Sequence, residues 1–157
     1  MRQFKDAFLI SSLIIALDQI TKYLALNYIN PYDFIKIFPF LHLVIVLNKG
    51  AAFGMFKNFG SGFFIAASMV AILFVIFLLI KGKENHLGLS LILGGAIGNL
   101  IDRVLYGRVV DFIDLSMGKY HWPAFNVADS SLTVGVTIIL LIHFLKTIKP
   151  KHSARKS

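Results

Sequence analysis

The chain contains no cysteine. That excludes disulfides, thiol nucleophiles and thiolate metal sites, and it excludes a lipid anchor on a cysteine of its own. Charge is scarce: 15% of the 157 residues are Asp, Glu, Lys or Arg, against about 25% in an average soluble domain. Acid is scarcer still, with eight Asp+Glu against sixteen Lys+Arg. There is no HExxH zinc motif and no GxSxG elbow. The five His, at 42, 86, 121, 143 and 152, show no ligand-like spacing, so no metal or cofactor is expected. What abounds is apolar: 57% of residues are hydrophobic and the mean hydropathy is +0.75. These values exclude the water-soluble, disordered and fibrous classes. The net charge of +8 lies mainly at the chain ends, which suits an anionic membrane face better than nucleic acid.

A helix needs about 20 apolar residues to cross the hydrocarbon core. Four stretches fit: 8–26, which holds Asp18 and Lys22; 63–80, which has no charge; 87–105, with Asp102 and Arg103 near its end; and 127–145, which begins around Asp129. The N-terminal run resembles a signal peptide, but it continues through Asp18 and Lys22 without a small-residue cleavage site. It reads as a retained helix. Residues 1–7, 81–85 and 146–157 hold nine of the Lys and Arg, and the longer connections 28–62 and 106–126 hold five. The positive-inside rule then places both termini and the basic tail 146–157 in the cytoplasm, with the two long connections facing outward.

Those connections are not linkers. Phe34–Phe38 (FIKIF) and Phe40–Leu47 (FLHLVIVL) are β-branched and aromatic, are separated by Pro39 and are followed by a turn at Asn48-Lys49-Gly50. Val109–Leu115 (VVDFIDL) also reads as a strand. A small β-structure on the outer membrane face is expected, within a single membrane domain spanning residues 1–157.

Ionisable groups at membrane depth are expensive and usually pair or serve a function. Asp18 and Lys22, four apart, form an intrahelical ion pair or brace a site facing the bundle. Gly95, Asn99, Asp102 and Arg103 share one helix face, and Gly94 and Gly98 form a small-xxx-small pattern for close packing. Asp129 suits a helix N-terminus as a cap. Asp111 taken singly is a solvated loop carboxylate. The expected orientation places both at the same outward level, and the 18 residues between them allow the two to meet. Two carboxylates in a partly dry site resist joint ionisation, so one keeps its proton. Such a pair suits peptide hydrolysis without metal or covalent intermediate.

Five blocks, in order along the chain, resemble the bacterial lipoprotein (type II) signal peptidases: Asp18-Gln19-Ile20-Thr21-Lys22; Asn48-Lys49-Gly50-Ala51-Ala52-Phe53-Gly54; Gly94-Gly95-Ala96-Ile97-Gly98-Asn99-Leu100-Ile101-Asp102-Arg103; Val109-Val110-Asp111-Phe112-Ile113-Asp114; and Phe125-Asn126-Val127-Ala128-Asp129-Ser130. The resemblance implies a mainly α integral-membrane aspartic peptidase: four transmembrane helices with a small extracytoplasmic β-cradle, in the bacterial cytoplasmic membrane. It implies removal of signal peptides from prolipoproteins, by a cut before a diacylglyceryl-modified cysteine. Asp111 and Asp129 are then the catalytic pair. Asn48, Gly50, Asn99, Arg103 and Asn126 bind substrate; Asp18, Lys22 and Asp102 support the site. The loop around Asn48–Gly54 is expected to close over the substrate. The expected partners are such prolipoproteins and membrane lipid, with no nucleic acid, and the expected state is a monomer. The rival reading is a small transporter using Asp18, Lys22, Asp102 and Arg103 as a polar pathway.

Overall fold

The structure, a computed structural model, describes residues 2–50 and 60–148. Among these are four helices, α1 (Arg2–Tyr28), α2 (Ser61–Lys81), α3 (His86–Tyr106) and α4 (Val127–Ile148), and four strands, β1 (Ile35–Phe38), β2 (Leu41–Asn48), β3 (Val109–Met117) and β4 (Tyr120–His121). All four helices are long and apolar enough to cross a membrane. Each runs past the apolar stretch visible in the sequence, because the backbone keeps its hydrogen bonds until a stop signal intervenes. Asp6 therefore lies on α1 rather than ahead of it. The stops are physical. Gly82 (φ 63°) closes α2 with its N–H on the Leu78 and Leu79 carbonyls, and Gly107 (φ 68°) closes α3 with its N–H on the Arg103 carbonyl. Both are left-handed conformations that glycine adopts without strain.

Helix α3 packs against the other three. Its register with α1 is parallel: Ser11 Oγ donates to the Ser90 carbonyl at 2.9 Å, Ile14 abuts Gly94, Asp18 abuts Gly98 and Lys22 reaches Asp102. Its register with α4 is antiparallel: Gly88 meets Gly135 and Ile139, and Gly95 meets Ala128 and Leu132. A Cβ on Gly98 would lie 2.6 Å from Asp18 Oδ2, and one on Gly95 would lie 2.5 Å from the Ala128 carbonyl oxygen. The small-residue pattern on α3 is what lets both neighbours approach. The outward faces carry large apolar side chains, with Leu13, Phe74 and Leu140 all more than half exposed. Such faces suit lipid, because the helices satisfy their own backbones.

The strands form an antiparallel sheet in the order β1-β2-β3-β4. His42 pairs with Asp114, Val46 with Asp111 and Asn48 with Val109, and the register shifts between Leu43 and Val46. The sheet joins the bundle at the C-terminal ends of α1 and α3. There Phe112 is buried with Ala25 and Ile29, and Leu43, Ile45, Ile113 and Val127 pack around them. β3 follows α3 almost directly, so its first residues lie against the polar end of the bundle.

Candidate active site

The site is built where three backbone directions change: α3 into β3, β3 into α4, and the end of β2. Asn126 is the N-cap of α4. Its Oδ1 accepts the Asp129 N–H at 2.8 Å, the usual use of an asparagine at this position. The cap expected of Asp129 is thus taken by Asn126, and the Asp129 carboxylate turns elsewhere: its Oδ1 accepts Asn99 Nδ2 at 2.8 Å. The amide nitrogen of Asn126 faces the other way. It donates to Asp111 Oδ1 at 2.7 Å and to the Val110 carbonyl at 3.2 Å. One fully buried asparagine therefore binds the backbone of one aspartate and the side chain of the other.

Asp111 is not a solvated loop residue. It sits on β3 and is only 2% exposed. Both of its oxygens are held, Oδ1 by Asn126 and Oδ2 by Asn48 Nδ2 at 3.1 Å. Asn48 in turn accepts the Gly50 N–H at 2.9 Å, which forms the expected turn after β2. Burial pushes the Asp111 carboxyl up to about 7, and the nearby Asp129 charge pushes in the same direction; the Asn48 and Asn126 amides and the more distant Lys22 pull it down. A carboxyl in this range exchanges its proton near neutral pH.

Beneath the pair lies a buried ionic cluster. Lys22 Nζ lies 2.8 Å from Asp18 Oδ2 and 3.0 Å from Asp102 Oδ2, and it donates to Asn99 Oδ1 at 3.1 Å. All three charged residues are at most 2% exposed. The intrahelical pair and the bundle-facing brace are thus one arrangement. One ammonium between two carboxylates leaves the trio net negative, and neutral donors share the load. Asp18 Oδ1 accepts the Ala128 N–H at 2.8 Å, Asp102 Oδ2 accepts the Val110 N–H at 3.0 Å, and Gln19 Nε2 donates to Asp18, Asp102 and the Gly98 carbonyl. Charged groups at this depth are tolerable only when so satisfied. The positive end of the α4 dipole adds to this, since Asp18 accepts an N–H of its first turn and Asp129 lies within that turn. The Asp102 bond fixes β3 at Val110, one residue before Asp111.

Arg103 is arranged differently. Its Nη1 donates to the Asn99 carbonyl at 3.2 Å and its guanidinium lies 5.6 Å from the Phe64 ring centroid. It is within electrostatic reach of Asp129, Asp111 and Asp102. Asn48, Gly50, Asn99, Asn126, Asp111 and Asp129 thus form one hydrogen-bonded chain, continuous through Asn99 with Lys22, Asp18 and Asp102, and Arg103 flanks it. Residues 51–59, which include most of the expected closing loop, lie outside the described residues, as do residues 149–157 of the basic tail. Gln19 lies in the first sequence block, and its three bonds emerge only in the fold.

A second polar group lies on the sheet. His121 Nδ1 is 2.9 Å and His42 Nδ1 3.6 Å from Asp114 Oδ2, and Ser116 Oγ is 3.3 Å from His42 Nδ1. The sequence separations hid this grouping. No set of three His, Asp or Glu among the described residues is placed to hold a metal ion.

Fold and site together define a class: a four-helix membrane protein with a small antiparallel sheet, in which buried aspartates meet buried asparagines where bundle and sheet join. The family model described as signal peptidase (SPase) II matches residues 10–145. The chain is 51% identical to the lipoprotein signal peptidase of Thermodesulfovibrio yellowstonii over 128 residues, 82% of this chain and 87% of that one. It is 43% identical to that of Syntrophotalea carbinolica over 156 residues, 95% of this chain and 97% of that one. Among solved structures, a bacterial membrane enzyme superposes with a TM-score of 0.87 at 35% identity, covering 97% of this chain and 95% of the other. The chain belongs to the signal peptidase II family; it is a bacterial membrane peptidase.

Proposed function

We propose that the enzyme removes signal peptides from prolipoproteins by hydrolysing the bond before a diacylglyceryl-modified cysteine, with water activated between Asp111 and Asp129. The carrying observation is the Asn126–Asn99 bracket, which holds the two carboxylates in one buried hydrogen-bonded unit. One member is ionised and takes a proton from water. The hydroxyl adds to the scissile carbonyl carbon, and the protonated member gives its proton to the carbonyl oxygen. Collapse of the tetrahedral species breaks the C–N bond, and the cysteine amine leaves with a proton. Asn99 holds Asp129 through Oδ1, and Oδ2 is the oxygen assigned to the water. The pair titrates as a unit, so base and acid belong to the pair rather than to one residue.

The substrate reaches the site sideways from the outer leaflet. Its acyl chains lie against the apolar helix faces, and the signal peptide is extended along Asn48, Gly50, Asn99, Arg103 and Asn126. Asp18, Lys22, Gln19 and Asp102 set the positions of α3, β3 and α4 around it. Both termini are cytoplasmic, and the site faces the outer side. The test is cleavage of a synthetic diacylglyceryl-cysteine peptide in detergent. Asp111→Asn and Asp129→Asn each lower kcat by about 100-fold or more while the protein stays folded. Retained turnover in either variant removes that residue from the chemistry.

A further inference from the structure

Arg103 is a long cation set among acids, yet among the described residues it makes no ion pair. Asp129, Asp111 and Asp102 all lie within electrostatic reach of its guanidinium. Its hydrogen bond runs to a neutral group instead, from Nη1 to the Asn99 carbonyl at 3.2 Å. A guanidinium carries five N–H donors in a planar fork that fits a carboxylate with two parallel bonds. A flexible side chain in this position closes such a pair unless another contact holds the charge away.

That contact is the ring of Phe64. It is buried in the first turn of α2, and its centroid lies 5.6 Å from the Arg103 guanidinium carbon. The face of an aromatic ring attracts a cation within about 6 Å. The ring takes up the charge without consuming the N–H donors, because it offers no lone pair. Phe63 meets Phe64 edge to face, with centroids 5.4 Å apart, which limits how the ring can turn. The plain alternative is that Phe64 only fills space between α2 and α3. The other buried side chains of α2, Ile72, Val75 and Leu79, do so without an aromatic ring. An aliphatic residue at 64 would serve packing equally well, but it would not hold a guanidinium.

We propose that Phe64 is a positioning residue for the reaction: its ring holds the Arg103 guanidinium off Asp129, so that the remaining N–H donors face the substrate backbone and Asp129 stays open to the water. This rests on the assignment of Asp111 and Asp129 to peptide hydrolysis. Without the ring, Arg103 closes onto Asp129, the carboxylate that acts on it most strongly, and competes with the water for that side chain. Phe64 itself touches neither water nor the scissile bond; it acts through Arg103.

The experiment is a double-mutant cycle of Phe64→Leu and Arg103→Gln in the full chain, with two readouts. The first is turnover of the diacylglyceryl-cysteine peptide. Phe64→Leu lowers kcat about ten-fold, the scale of one desolvated cation–π contact, and Phe64→Met, which also fills the space, lowers it as much. In the Arg103→Gln background the same Phe64→Leu change alters kcat by less than about two-fold. A space-filling role gives equal losses in both backgrounds. The second readout is the denaturant midpoint of the same four proteins, which needs no substrate: Phe64→Leu lowers it more in the native background than in Arg103→Gln. Equal kcat losses in both backgrounds, or native kcat in Phe64→Leu and Phe64→Met, overturn the proposal. A native chain that leaves the peptide intact overturns the substrate reading instead, and the midpoints then decide whether Phe64 holds Arg103.

Discussion

Asp111 and Asp129 are chemically the same residue made different by their neighbours. Two side-chain amides claim both oxygens of Asp111, whereas one amide claims a single oxygen of Asp129. The cost of keeping Asp111 so deep is readable in its proton. Its carboxyl moves from an ordinary 3.8 to about 7, through burial first and Asp129 second. The native state therefore holds a proton that the unfolded chain has lost. This contribution to stability is complete below the lower value and disappears as pH rises through the upper one. The melting temperature in detergent should fall between pH 5 and pH 8, and fall less in Asp111→Asn; equal falls would show that Asp111 does not couple to folding. Lys22 makes the converse point. Replacing it with Met leaves Asp18 and Asp102 facing each other without a counter-charge, and unpairing a buried charge costs about 3–5 kcal/mol. Denaturant unfolding of Lys22→Met checks this, and a loss under about 1 kcal/mol would reduce the cluster to a solvated pair.

At the level of elements, α3 does most of the positioning. One face carries glycines that admit α1 and α4, and the same face carries Asn99 and Asp102, which reach the cluster that these contacts create. Close approach and polar bonding are therefore one requirement. Gly98→Ala sets a methyl 2.6 Å from Asp18 Oδ2, and such overpacking costs about 1–3 kcal/mol. Gly62→Ala, with no atom of the described residues within 4 Å of the added Cβ, gains about 0.5–1 kcal/mol from helix propensity. Parallel unfolding curves of the two variants test whether crowding or propensity decides. The helices and strands themselves were legible, because spans announce themselves by hydropathy and β1, β2 and β3 by β-branched runs between turn residues. Strand register was not. The shift between Leu43 and Val46 brings Val46 opposite Asp111, and nothing local in the sequence encodes it.

For the whole molecule, the design is a bundle whose polar layer lies at one end and a sheet that closes over it. Asp111 and Asp129 were readable as candidates because acids are so few and two of them flank a single connection. Asn99 and Arg103 were readable from helical spacing. The bonds between them were not readable: Lys22 to Asn99 spans 77 residues, and Asp18 to the Ala128 N–H spans 110. The same distance in sequence concealed Gln19 and the His42–Asp114–His121 group on the sheet. Those partners meet only after the bundle has formed, so hydropathy and short motifs carry no trace of them. The resemblance supplied roles for residues whose contacts only the fold displays.

The reading of Asp111 and Asp129 as one catalytic unit is tested most directly by measuring kcat/KM for Asp111→Asn, Asp129→Asn and the double variant on the same diacylglyceryl-cysteine peptide. Residues that act as a unit are not additive. The three variants should share one low floor. A double variant slower than the native enzyme by the product of the two single losses, or a single variant near native turnover, would contradict joint activation of water by the pair.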